Sequence, residues 1–292
     1  MINLRGKWVL ITGASRGIGR LAAKAMAERG CNLILQSRDT KHTESLEDEL
    51  VNMGAFCYSF AADLNDMASI SKMLSDIERL GVDVDVVLNN AGLQIAYRQN
   101  YFETPVEDYL VSFNVNTIAP AMICYHYLPR MISRGFGRIV NTTSGIDKEP
   151  EQAGYSAAKA ALDKITKDMA SRLEGTGVTM NLTDPGWCRT DLGGPNAPNA
   201  PESAIPGVLV GAYVGHQGVS VGHTGVQVGI SIGVVVGCTV GVAVGISGSH
   251  VGTGVVVGVS GSIVGTGVTV GSVVTISFSS TSISPTYGTP YP

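Results

Sequence analysis

Beyond Glu202 the chain has no charged side chain: its 20 basic and 24 acidic residues all lie in the first 202 positions, and the last 90 contain none. A globular domain carries about a quarter charged residues throughout, so two kinds of sequence are joined. Residues 1–213 read as a folded domain and 214–292 as an uncharged Gly/Val/Ser/Thr-rich low-complexity tail. Cysteine is sparse. Cys31, Cys57, Cys124, Cys188 and Cys238 are odd in number, scattered and without a CxxC pair, which excludes a disulfide framework and a cysteine zinc site. They read as reduced thiols of a cytoplasmic protein. No His, Cys or acidic cluster has metal-ligand spacing, so no metal is expected. A net charge of −4 suggests neither a nucleic-acid surface nor an acidic tail. The opening MINLRGKWVLITG enters an apolar strand without the long apolar core of a signal peptide, so secretion is not expected.

In the first part, short apolar runs alternate with longer segments of helical period, the pattern of βα units around a parallel sheet. Strands are expected at 7–12, 32–37, 55–61, 84–89, 137–143 and 177–183. Helices are expected at about 17–29, 40–53, 66–80, 105–133 and 153–174, with Pro120 and Pro129 bending or shortening the fourth. A further short helix fits 202–213. Six parallel strands make an α/β, doubly wound, three-layer αβα sheet of Rossmann type, and such sheets bind ligands beyond the carboxyl ends of their strands.

Two stretches carry chemistry. The first strand runs into TGASRGIGR, whose Gly13, Gly17 and Gly19 would let backbone approach a pyrophosphate at a helix N-terminus. Taken alone this is also an ordinary tight βα connection. In GYSAAKAALDKI, Tyr155 and Lys159 stand four apart and share a helix face. An ammonium beside a phenol favours the tyrosinate and lowers a pKa of about 10, which suits a general acid or base. An isolated YxxxK more often means a packed Tyr and a solvated Lys.

TGASRGIG, NNAG at 89–92, the Ser of NTTSG at 141–145, YSAAK at 155–159 and DPGWCRT at 184–190 occur in order. On these motifs the chain resembles the short-chain dehydrogenase/reductase family over residues 1 to about 213. The resemblance implies a nicotinamide cofactor and reversible reduction of a carbonyl to an alcohol. Tyr155 would protonate the carbonyl oxygen or take the hydroxyl proton in reverse, Lys159 would lower its pKa and hold the cofactor ribose, and Ser144 would hydrogen-bond the substrate oxygen. The family commonly places this serine thirteen residues before the tyrosine, and Ser144 is eleven before Tyr155, so the intervening loop is read as shortened. Thr142 and Thr143 stand as substitutes. Asn114 matches the family asparagine that holds a water between the lysine and solvent, with Asn116 as the alternative.

Charge argues for NADP(H) over NAD. Ser37 occupies the place at the end of the second strand where an NAD enzyme has an acid, and Arg38 follows. With Arg16 it would pair with a 2′-phosphate, provided that Asp39 turns outward. By resemblance the cofactor also meets Gly13, Ser15, Gly17, Ile18 and Gly19 in the turn, Asp63 and Leu64 at the adenine, and Asn90, Ala91 and Gly92 at its ribose. Pro185, Gly186 and Thr190 would flank the nicotinamide, next to Tyr155 and Lys159. Asp63 is also a natural turn or cap residue, Asn90 a natural sheet brace, and Trp187 is read as core ahead of pocket wall. Substrate identity would lie in the loop after Thr190 and around 94–99. The partner is a small-molecule carbonyl or alcohol, with no nucleic acid, no membrane and a possible homo-oligomer.

The family usually supplies another helix and a last strand after this point, and the sequence offers no clear match to either. From Val226 to Ile246 every even position is instead Val, Ile or Cys, a period-two β signal without charge or proline. Glycine in this stretch has the wrong spacing for a membrane helix. The tail is read as supplying the missing strand and then remaining disordered, as a separate β layer or assembly surface, or as no evolved domain, for example a product of frame slippage. Two rivals to an NADP-dependent reductase follow: a non-catalytic NADP-binding protein, and a self-assembling β-structural protein dominated by the tail.

Overall fold

The computed structural model describes residues 2–213 and the backbone of 220–221. Residues 214–219 and 222–292 of the tail, with the alternation at 226–246 and Cys238, lie outside the described residues.

Four buried apolar runs form the centre of the sheet: β1 (Trp8–Ile11), β4 (Val84–Asn89), β5 (Gly137–Thr142) and β6 (Val178–Thr183). β2 (Asn32–Ser37) and β3 (Cys57–Ala61) extend it on one side. A two-residue β7 (Ser220–Val221) pairs with Leu182 and Thr183 of β6 on the other. All pairings are parallel, in the order β3-β2-β1-β4-β5-β6-β7. The sequence leads to six strands, with the tail read in one alternative as the source of the missing last strand; a seventh strand two residues long does lie in the tail.

Alternation along each strand sends side chains to two cores, one per face. Val9 and Ile11 of β1 and Leu33 and Leu35 of β2 pack under α1 (Gly17–Ala27), α2 (Glu44–Asn52) and α7 (Pro201–Tyr213). Leu10, Ile34 and Ile139 face α3 (Met67–Glu78) and α5 (Ala119–Arg134). α4 (Val106–Phe113) and α6 (Ala153–Ala170) complete the helices. α7 sits close to the sheet: a Cβ at Gly211 would lie 2.9 Å from the Val140 side chain.

The interval 105–133 neither breaks nor ends at its prolines. Pro120 is in the first turn of α5, where a missing N–H costs nothing, and Pro129 lies inside the helix. The irregularity falls earlier, in a π-helical turn over Asn114–Ile118 that joins α4 to α5. Thr117 Oγ1 donates to the Ala158 carbonyl at 2.7 Å and ties this turn to α6. The strand order reverses between β1 and β4, so the crevice beyond their carboxyl ends is where a doubly wound sheet takes its ligand.

Candidate active site

Glycine builds the first part of the crevice. Gly13 follows β1 with φ +65, and a Cβ there would lie 2.9 Å from Ala91 Cα. A Cβ at Gly19 would lie 2.2 Å from the Gly13 carbonyl oxygen. Neither position admits a side chain without displacing backbone. The turn is braced by groups from three strands: Gly13 N donates to Gln36 Oε1 at 2.9 Å, Gln36 Nε2 to the Ala62 carbonyl at 2.9 Å, and Ala91 N to Thr12 Oγ1 at 3.0 Å. Asn90 Nδ2 donates to the Thr12 carbonyl at 3.1 Å and so acts as a brace. The N-terminus of α1 has no side-chain cap, which leaves its first amides free for an anion. A backbone cradle that excludes side chains, opening on an uncapped helix, fits the pyrophosphate of a dinucleotide. Ser15, Arg16, Gly17 and Ile18 are the residues of that turn.

Arg16 and Arg38 are exposed. Arg16 Nη1 contacts Asp191 Oδ2 at 2.5 Å, both side chains about two-thirds exposed at 65% and 67%. Asp39 turns outward and accepts from Lys41 N at 3.0 Å as the cap of a 3₁₀ turn, so its carboxylate is engaged away from the end of β2. Ser37 is buried, with its hydroxyl donating back to the Asp39 carbonyl at 2.7 Å. Asp63 accepts from Asn65 N at 2.9 Å in a turn, and the Leu64 side chain is in the α3-side core.

The second part is made of titratable side chains. Tyr155 and Lys159 lie on α6, 7% and 3% exposed. Lys159 Nζ donates to the Thr142 carbonyl at the end of β5 at 2.8 Å and lies 5.9 Å from the centre of the Tyr155 ring. Burial pulls the lysine down to about 8, opposed by the carboxylates of Asp163 and Asp184. Burial raises the Tyr155 phenol above its ordinary value, and the Ser144 side chain acts the other way. Thr143 is not placed to substitute, because its hydroxyl donates to Asp163. The loop between Ser144 and Tyr155 turns at Lys148, which has φ 59, the one positive value at a non-glycine among the described residues. Such a backbone costs about 1 kcal/mol and fits a loop shortened between two fixed ends.

A position at Gly92 joins the two parts: a Cβ there would be 3.5 Å from Asn116 Oδ1, 3.7 Å from Leu192 and 3.8 Å from Lys159 Nζ. Thr190 faces the glycine turn, 3.3 Å from the corresponding point on Gly17. Pro185 and Gly186 precede it, with Gly186 N donating to Asp184 Oδ1 at 2.8 Å.

The family model described as short chain dehydrogenase matches residues 7–200. This chain belongs to that family. The oxidoreductase UcpA of Salmonella typhimurium is 33% identical over 212 residues, 70% of this chain and 80% of the relative. The 3-oxoacyl-[acyl-carrier-protein] reductase FabG of Aquifex aeolicus is 31% identical over 194 residues, 65% of this chain and 77% of its own. Among solved structures, a metagenomic short-chain oxidoreductase in complex with NADP superposes with a TM-score of 0.66 at 27% identity, covering 76% of this chain and 99% of the other.

Three expectations for this short-chain dehydrogenase need correction. Asn114 does not face Lys159: its amide donates to Asn65 Oδ1 at 3.0 Å on the exposed side. Asn116 is the buried amide, accepting from Leu93 N at 3.0 Å and donating to the Leu93 carbonyl at 2.8 Å. The π turn adds a residue to the helical repeat and rotates Asn116 into the position beside Gly92. The Tyr155 phenol is raised above its ordinary value, mainly by burial and then by Asp184, whereas an adjacent ammonium was expected to lower it. Lys159 is directed to Thr142, not to the phenol. Trp187 is 59% exposed rather than core, its Nε1 donating to the Gly193 carbonyl at 2.7 Å. Gln36, Asn89, Asn141 and Asp163 were missed. Asn89 Nδ2 donates to Asn141 Oδ1 and Asn141 Nδ2 to Thr166 Oγ1, each at 2.8 Å, locking β4, β5 and α6 behind the site. Polar residues inside otherwise apolar strands were the available signal for Gln36, Asn89 and Asn141, whereas Asp163 lies on α6.

Proposed function

We propose that this short-chain dehydrogenase reduces a carbonyl, or oxidises the corresponding secondary alcohol, with NADP(H), using Tyr155 as general acid and base. The observation that carries the reading is a buried Lys159, its Nζ 5.9 Å from the centre of the buried Tyr155 ring, next to a backbone cradle that fits a dinucleotide. The nicotinamide, when bound, supplies or accepts the hydride. Tyr155 gives its phenolic proton to the carbonyl oxygen as the new C–H bond forms, or takes the hydroxyl proton in the reverse direction. Ser144 donates to the same oxygen and stabilises its developing charge. The Lys159 ammonium stabilises the tyrosinate left behind and holds the ribose. Asn116 takes the relay role first given to Asn114.

NADP is favoured over NAD because Arg16 and Arg38 are exposed, while the carboxylate of Asp39 is engaged in a cap. The complex of the metagenomic relative with NADP supports the same preference. Cys31, Cys57, Cys124 and Cys188 are free and buried, which suits a reducing cytoplasm. Among the described residues no helix is long and apolar enough to cross a membrane.

The test is oxidation of NADPH and of NADH by the full chain across a panel of ketones and aldehydes. Turnover preferring NADPH is expected. NADPH binding without turnover of any carbonyl would leave a nucleotide-binding protein instead.

A further inference from the structure

We propose that Asp163, anchored by Thr143, is a positioning residue that keeps the Lys159 ammonium charged in the active site. The inference rests on the reading of Lys159 as the partner of Tyr155. A lysine 3% exposed has lost its hydration, and the neutral Thr142 carbonyl replaces only part of it. The charged groups that act on Lys159 are Asp163, one turn later on α6, and Asp184, after β6. Its remaining neighbours, Tyr155, Asn116 and Gly92, are uncharged at neutral pH.

The two carboxylates differ in what else they do. Asp184 accepts from Gly186 N at 2.8 Å, and its field also reaches Tyr155 and raises the phenol. Asp163 stands on the same helix as Lys159, one turn away, and its charge favours the ammonium. Its Oδ1 accepts from the Thr143 hydroxyl, and Thr143 N donates to the Thr183 carbonyl at 2.8 Å, so the ends of β5 and β6 fix the carboxylate. Burial raises the Asp163 carboxyl above its ordinary value, opposed by the Thr143 hydroxyl and by the Lys167 and Lys159 ammonium groups. Asp163 is thus held in a fixed place one turn from the lysine.

Two readouts on the full chain test this: the pH profile of kcat/KM for ketone reduction, and the titration of Lys159 followed by ¹³C NMR of ε-labelled lysine, assigned with Lys159→Arg. Asp163→Asn is expected to lower the Lys159 midpoint and the alkaline limb of the profile together, by about one pH unit. Thr143→Val should shift both in the same direction by less, and Thr143→Ser should restore them. An unchanged midpoint in Asp163→Asn, or a rate lowered equally at every pH, would overturn the proposal. If Asp163→Asn does not fold, the Thr143 pair decides: equal midpoints for Val and Ser overturn it. A wild-type chain without reductase activity would sink the oxidoreductase reading, while the lysine titration would still decide the role of Asp163.

Discussion

The glycine turn after β1 is a backbone cradle with Arg16 exposed in it and Arg38 exposed after β2, whereas α6 presents a phenol and an ammonium that are almost fully buried. In the first part close packing excludes side chains, and the exposed guanidinium groups lie at its rim. In the second, every neighbouring group sets a proton affinity, and the fold carries a desolvated ammonium to do so. Stability and chemistry should therefore respond differently to substitution in the two parts.

The largest structural effect is expected where backbone is crowded. In Gly19→Ala the new methyl would lie 2.2 Å from the Gly13 carbonyl oxygen and 2.6 Å from Asn90 Nδ2. A loss of about 3 kcal/mol is predicted, with loss of NADPH binding; calorimetry and cofactor fluorescence check both. An unaltered melting temperature would show that the turn has room to relax.

Lys159→Met should act in the opposite direction on stability. The lysine's folded-state value of about 8 lies below its ordinary 10.5. The charge is therefore held less well by the folded chain than by the unfolded one. This penalty is full below pH 8, shrinks between pH 8 and 10.5, and is gone above that. The variant is predicted to be inactive yet more stable at pH 7, by up to about 3 kcal/mol, with the gain vanishing by pH 10.5. Denaturant titrations of both proteins across that range would read the difference.

Smaller effects belong to the exposed rim. Arg38→Asp should shift preference from NADP toward NAD by about tenfold, or about 1.4 kcal/mol, read from the ratio of kcat/KM with the two cofactors. No change would mean that the guanidinium points away from the 2′-phosphate. Asp191→Asn, which frees Arg16 from an exposed ion pair, should change NADPH affinity least of all.

The same contrast decided what could be read from sequence. β2 and β4 were expected at the bounds they have, because each is an apolar run between clear turns. The cradle was legible because close approach and positive φ leave glycine as their trace. Burial leaves no comparable trace at Tyr155, so the direction of its shift was missed: Lys159 is four residues away in sequence, but its Nζ is directed to Thr142. Asn114 was matched to the family asparagine by resemblance with Asn116 as the alternative, and the π turn over Asn114–Ile118 that places Asn116 beside Gly92 leaves no mark in a motif match. A last strand from the tail was one of the alternatives, but its place was not legible because two residues cannot display an alternation.

The central claim is that the Tyr155 hydroxyl transfers the proton while separate groups hold the nucleotide. Tyr155→Phe removes that one oxygen, and comparing kcat for ketone reduction with the dissociation constant for NADPH tests it most directly. The account predicts a fall in kcat of about a thousandfold with NADPH affinity unchanged. A phenylalanine variant that keeps wild-type turnover would contradict it.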